Sequence, residues 1–176
     1  MRSWRPTRVE KVFEHPLLEL QRQQVSAGDE ERTALVLNIP DWVNVIPLLP
    51  DGRVVMVRQW RYGVEGQTLE IPGGVVEPGE AERAAAEREL LEETGYRGRV
   101  WKRLGEVQPN PAIQNNRTGT WLVTDLERIG EPLGDGHEEL ELEIVSLEEV
   151  PSRIAAGDIR HSLVVAAFYL LSIDSR

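Results

Sequence analysis

The chain has 176 residues, 40% of them apolar and 28% charged, with a net charge of -10, a pI near 4.9 and no cysteine. That length suits one domain with a full core, and the missing cysteine excludes disulfides and thiolate metal sites and fits a reducing cytoplasm. The acidic balance argues against a duplex nucleic-acid partner and no stretch of about 18 apolar residues is present to span a membrane, whereas a small anionic substrate stays open if divalent cations stand between it and the protein.

Residues 1–36 read as an N-terminal β extension of the same domain, and 37–176 as its main body. The basic start, MRSWRPTRVEK, has no apolar segment behind it and is not read as a secretory signal. Leu17 to Val25 alternates like a half-buried strand, Ser26 to Asp29 supplies turn chemistry, and Thr33 to Ile39 returns as a second strand. Asn44 to Leu49 and Arg53 to Trp60 are apolar runs split by Pro50-Asp51-Gly52, a hairpin signal. Leu69-Glu70-Ile71 is short and is ended by Pro72-Gly73-Gly74.

Glu80 to Glu93 is the clearest helix, rich in Ala, Glu, Arg and Leu, preceded by Pro78-Gly79 and stopped by Gly95. Val100 to Val107 and Thr120 to Thr124 read as strands around the Pro- and Asn-rich loop Gln108 to Arg117. Glu139 to Val145 alternates as another strand. Val150 to Ala156 and Ser162 to Ser172 read as helices, the second apolar enough to pack on a sheet. Strands gathered around a few helices, without regular βαβ alternation, predict an α/β fold with a mixed sheet sandwiched by helices.

The acidic residues of the Glu80–Glu93 helix are not spread evenly. Glu89, Glu92 and Glu93 stand three and four apart and share one face, and Glu82, seven before Glu89, extends the stripe. Like charges at this spacing each cost a few tenths of a kcal/mol, roughly, in an isolated helix. Such a stripe needs either full solvation or a cation, and carboxylates are suitable ligands for Mg²⁺ or Mn²⁺. Gly74, Glu80, Arg88, Glu89, Glu92, Glu93 and Gly95 fit the pattern G-x5-E-x7-R-E-U-x-E-E-x-G-U, with Leu90 and Tyr96 in its bulky apolar slots. Seven fixed residues coincide by chance on the order of once in 10⁸ windows.

On these residues the chain resembles the Nudix hydrolases. The resemblance implies a Nudix-type α/β/α sandwich with a mixed sheet, carrying a loop, helix and loop whose glutamates hold divalent cations against a diphosphate. It implies that Glu89, Glu92 and Glu93 bind the metal, Glu92 and Glu93 being catalytic as well. The Gly73 carbonyl would join them, Glu80 would close the site or hold a metal through water, and Arg88 would brace the carboxylates. Glycines at 73 and 74 let the backbone approach metal and phosphate without a Cβ.

The segments Val57-Arg58-Gln59-Trp60-Arg61 and Leu69-Glu70-Ile71-Pro72-Gly73-Gly74 further resemble the ADP-ribose and nucleoside-diphosphate-sugar pyrophosphatase branch. That implies Mg²⁺-dependent cleavage of a nucleotide-sugar substrate to a nucleoside monophosphate and a sugar phosphate, in a homodimer. Arg61 would contact phosphates or the terminal ribose, or else is a solvated strand end, and Glu70 would hydrogen-bond within the site. In the acidic stretch 135–143, Glu138 is placed to be a general base, with Glu139 and Glu141 as alternatives. Gln108 to Arg117 departs from the branch; its amides and Arg117 offer donors to sugar hydroxyls or phosphates, which favours a broad nucleoside-diphosphate-sugar preference. Trp4 and Trp42 would stack a base or pack in a core or dimer interface. Other nucleoside diphosphate derivatives, namely dinucleoside polyphosphates, nucleoside triphosphates and coenzyme A, are the competing substrates. A non-catalytic nucleotide sensor competes less well, because all the glutamates of the pattern are kept.

Overall fold

Contacts in a computed structural model, which describes residues 2–132 and 140–174, divide the chain into two compact units: Met1–Asp41 with Gln108–Arg117, and Trp42–Val107 with Thr118–Arg176. The first unit is an antiparallel meander of β1 (Arg5–His15), β2 (Leu18–Ala27) and β3 (Glu30–Asn38), in that order. The expected strands at 17–25 and 33–39 are β2 and β3. Strand β1 was not anticipated, and the reason is physical: it is exposed along its whole length. An edge strand with no buried face imposes no period-two pattern on its sequence.

The loop at 108–117 belongs to the same unit because its amides are used on the backbone beside β3. Asn115 donates to Asn38 Oδ1 at 2.6 Å and accepts from the Ile39 N–H at 3.2 Å, and Asn116 donates to the Pro40 carbonyl at 3.3 Å. The Leu37 N–H adds a 2.7 Å bond to the Ile113 carbonyl. Two of the loop's five side-chain amides thus serve the fold.

The second unit contains β4 (Trp42–Pro47), β5 (Arg53–Arg61), β6 (Gly66–Glu70), β7 (Gly73–Val75), α1 (Glu82–Thr94), β8 (Tyr96–Val107), β9 (Thr118–Arg128), β10 (Leu140–Ser146), α2 (Val150–Ala155) and α3 (Ser162–Asp174). One sheet runs β7-β4-β9-β8 and the other β10-β5-β6. The β4–β9 pair is parallel and its neighbours are antiparallel, so that sheet is mixed. Alternation along β4 puts a helix on each face. Val43 and Val45 pack with Ala85, Ala86 and Leu90 of α1. Ile46 packs with Val164, Ala167, Phe168 and Leu171 of α3, where Met56, Leu69 and Val145 of the second sheet join it. The result is the expected α/β/α sandwich. Burying each of the Val, Leu, Ile, Met and Phe side chains among them is worth about 1.5–3 kcal/mol, and truncating Leu90, 1% exposed, to alanine would cost about 2–5 kcal/mol. Among the described residues no helix is long and apolar enough to cross a membrane.

Two local boundaries differ from expectation. Pro72-Gly73-Gly74 does more than end a strand: Gly73 to Val75 pair with β4, Asn44 opposite Gly73. A Cβ at Gly73 would lie 2.3 Å from the Val43 carbonyl oxygen, so only glycine brings this strand in so closely. Helix α1 begins at Glu82, two residues late, because Ala81 is extended (φ -75, ψ 138). It ends as expected on Gly95 in the left-handed region (φ 71), whose N–H bonds to the Leu91 carbonyl.

Candidate active site

Arg88 organises the acidic face of α1. Its guanidinium donates to Glu80 at 3.1 and 3.0 Å, to Glu89 at 2.7 Å, to Glu92 at 3.2 Å and to the Val75 carbonyl at 2.9 Å. One cation therefore serves three carboxylates. The bracing role implied for Arg88 is the geometry observed. Glu80 stands outside the helix, its Oε2 also accepting the Glu77 N–H at 3.0 Å. The Arg88 hydrogen bonds, opposed by burial and helped by the Glu77 N–H, hold the Glu80 carboxyl below its ordinary value. The same carboxylates push the Arg88 guanidinium up, so it stays charged at any working pH.

Glu93 is turned from the same helix toward the β7 backbone. Only 7% exposed, it accepts the Gly73 N–H at 3.1 Å. Glu89 lies against Gly74, where a Cβ would come within 2.3 Å of its Oε1. Gly74 thus lets the strand lie against the Glu89 carboxylate, while Gly73 meets Glu93 through its N–H. Among the described residues no three His, Cys, Asp or Glu side chains converge as a ready-made metal cage; the Arg88 guanidinium draws three of the carboxylates to itself. The set still fits a hard divalent cation: every donor is an oxygen, and the missing Cβ at Gly74 keeps the Glu89 carboxylate against bare backbone.

Glu82 corrects the idea of a continuous stripe. Its carboxylate accepts Trp121 Nε1 at 2.7 Å and a two-pronged bond from Arg103 at 2.9 and 3.0 Å. A Cβ at Gly119 would come within 2.1 Å of its Oε1. Arg103's hydrogen bonds, against burial and with Trp121 assisting, hold its carboxyl below the ordinary range. Glu82 fastens the first turn of α1 to β8 and β9.

A second polar group lies on the β5–β6 pair. Val57, Gln59 and Arg61 stand opposite Glu70, Thr68 and Gly66 respectively, so Gln59, Arg61, Thr68 and Glu70 share one face. Arg61 grips Glu70 through bonds of 2.9 and 2.8 Å, and Thr68 Oγ1 donates to Glu70 at 2.6 Å. Burial pushes the Glu70 carboxyl up, but the Arg61 bonds and charge, with Thr68, more than reverse this and leave it lowered. The pairing of Arg61 with Glu70 and the part played by Thr68 were not expected; two-residue alternation from Glu70 back to Thr68 was the available signal. Arg58, in the same motif, points to the other face and bonds Glu143 (2.6 Å) and Asp158 (3.0 Å).

Glu138 and Glu139 lie outside the described residues. Glu141, exposed and paired in register with Arg58, shares the face opposite to that of Arg61 and Glu70. Arg117 lies in the first unit, where its N–H donates to Asp41 Oδ1 at 2.7 Å. Trp4 sits under the Arg32 guanidinium, 4.5 Å from ring centre to Cζ.

The NUDIX domain profile matches residues 40–168. The chain is 26% identical to an ADP-ribose pyrophosphatase of Bacillus subtilis over 93% of its own length and 90% of that protein's. It is 29% identical to a methanol dehydrogenase activator of Bacillus methanolicus over 95% and 91% of the two chains. An ADP-sugar pyrophosphatase of Mus musculus is 41% identical over 48% of this chain, which spans 40% of that protein. A crystal structure of an ADP compounds hydrolase superposes with a TM-score of 0.86 over 98% of this chain and 94% of that one at 22% identity, a likeness of fold.

Proposed function

This chain belongs to the Nudix domain family, and from that premise we propose that it hydrolyses the diphosphate of nucleoside diphosphate sugars or ADP-ribose, releasing a nucleoside monophosphate and a sugar phosphate. The observation that carries the reading is the charge imbalance at the acidic face of α1: Glu89 and Glu92 of the helix and Glu80 before it share one guanidinium beside the buried Glu93. A face so short of positive charge is suited to receive more of it. Glu89, Glu92, Glu93, the Gly73 carbonyl and Glu80 would hold Mg²⁺, with Mn²⁺ as a substitute. Bound there, the cation supplies neutralisation of the phosphate oxygens and an acidified water.

The protein's own groups divide the remaining work. Arg88 keeps the carboxylates gathered. Gly73 orients Glu93 through its N–H. Arg61, fixed on Glu70, presents its charge beside the polar face of β5–β6 for the substrate. The sugar-nucleotide preference is supported by a named ADP-ribose pyrophosphatase and a named ADP-sugar pyrophosphatase among the relatives. Residues 37–176 form the catalytic body in this reading, and the extension at 1–36 is a dimer contact. Val9, Val12, Phe13 and Leu35 are exposed on the N-terminal sheet, which suits covering by a second copy. A cytoplasmic setting and a small-molecule substrate, with no nucleic acid, complete the proposal.

A panel of nucleoside diphosphate sugars, ADP-ribose, dinucleoside polyphosphates, nucleoside triphosphates and coenzyme A, incubated with Mg²⁺ and read by release of phosphomonoester, tests the activity. Turnover of the sugar nucleotides is expected, and no turnover of any member would remove the proposal. Turnover of ADP-ribose alone would narrow it. Light scattering after gel filtration should give twice the 19.9 kDa chain mass.

A further inference from the structure

A second guanidinium reaches the β5–β6 face from another part of the chain. Arg160, just before α3, places Nη2 3.4 Å from the Gln67 carbonyl and 3.6 Å from the point where a Cβ on Gly66 would stand. Gly66 is the residue directly opposite Arg61, and partners in an antiparallel pair direct their side chains to the same face about 5 Å apart. The bare Gly66 therefore leaves the space between Arg61 and Arg160 open. Arg160 is held there from both sides: Ile159 is 1% exposed in the core, and the His161 carbonyl accepts the first N–H groups of α3, from Val164 and Val165, at 3.1 Å.

The charges at this place are unbalanced in the opposite sense to those on α1. Arg61 is matched by Glu70, whereas Arg160 forms an ion pair with none of the described carboxylates, in a chain whose net charge is -10. The face also holds polar atoms without partners. Gln59, only 3% exposed, has an Oε1 with no hydrogen bond, and the buried His161 Nδ1 has none either. Buried polar groups are normally satisfied; Gln59 Oε1 is an acceptor, so a hydroxyl of the ligand next to its phosphoryl group, not the anion itself, would complete that bond. The N-terminal end of the 13-residue α3 adds a positive dipole.

Resting on the proposed hydrolase activity, we infer that Arg160 is a further substrate-binding residue: across Gly66 it forms with Arg61 an anion subsite that takes one phosphoryl group of the diphosphate. The α1 carboxylates and this subsite then act on opposite signs, one through cations and one directly on the anion. Arg160 grips without taking part in bond cleavage, so its removal affects binding of ground and transition states alike.

The experiment compares wild type with Arg160→Gln and Arg160→Lys on the substrate that the panel identifies, with inorganic pyrophosphate as competing anion. In Arg160→Gln, KM and the inhibition constant of pyrophosphate should both rise about tenfold or more, as expected for one charge-assisted contact, while kcat stays within about threefold. Arg160→Lys should recover part of both constants, because it keeps the charge but loses the fork. Unchanged KM and pyrophosphate inhibition overturn the inference, and a lowered Tm alongside them would leave Arg160 as a prop for the Gln67 carbonyl only. A kcat loss at constant KM overturns it too. Failure of wild type to turn over any panel member is the separate outcome that removes the activity beneath it.

Discussion

The two ends of α1 treat their glutamates in opposite ways. In its first turn one carboxylate, Glu82, receives three hydrogen bonds from Trp121 and Arg103, and its charge is matched by that guanidinium. Two turns later the ratio is inverted, with Glu89 and Glu92, joined by Glu80 from the loop before the helix, gathered on the single guanidinium of Arg88, and Glu93 accepting the Gly73 N–H. The same residue type on the same helix is structural where the fold supplies donors in surplus. It is available for chemistry where carboxylates are in surplus, since the missing positive charge must then come from outside.

The largest effect that would sharpen this contrast is expected from Glu93→Gln. The amide still accepts the Gly73 N–H, so cooperative unfolding should persist, but kcat should fall by about 10²-fold or more as a charged group at the reacting centre is neutralised. Steady-state kinetics with near-normal kcat would put the metal site elsewhere. Arg88→Ala should come next. Without its guanidinium the gathered carboxylates repel one another, and Tm in the presence of a chelator should drop by the equivalent of about 1–3 kcal/mol. Millimolar Mg²⁺ should restore much of that loss by binding the folded form alone. A Tm of the variant indifferent to Mg²⁺ would mean the surplus carboxylates do not serve a cation.

At the other end, Glu82→Ala should lower stability by about 1 kcal/mol with kcat little changed below Tm. Gly119→Ala should act through the same contact, since its methyl would enter the space of the Glu82 carboxylate. The double variant should therefore be less destabilised than the sum of the two singles, a non-additivity that denaturant titrations can measure. Full additivity would break the link between them. The smallest effect concerns pH. Glu70, Glu80 and Glu82 all have folded-state values below their ordinary 4.5. The unfolded chain then binds more protons in that window, so these groups stabilise the fold above about pH 4.5 and the contribution is lost as pH falls through the lowered values. Tm should decline on acidification below pH 5, and Glu82→Gln should make the decline shallower.

Much of the architecture was legible because it depends on local chemistry. Pro50-Asp51-Gly52 turns the chain, Gly95 stops α1, and the apolar Ser162–Ser172 stretch becomes the helix packed within the core. Strand β1 was illegible because an edge exposed on both sides leaves no periodic trace. The β7 pairing was hidden because its sequence signal, two glycines, is the same one that ends a strand.

The sequence by itself determined the family pattern, the helix that bears it, and the residue types able to hold a cation, since these depend on spacings along one helix. Only the tertiary structure decided which of those glutamates is already satisfied. It was also needed to show that Arg61 is fixed on Glu70, that the Arg160 guanidinium stands beside Gly66, and that Asn115 and Asn116 of the 108–117 loop bond the backbone after β3. The physical reason is that a carboxylate's or an amide's role depends on the partners within about 3 Å of it, and in this fold most of those partners come from distant positions in the chain.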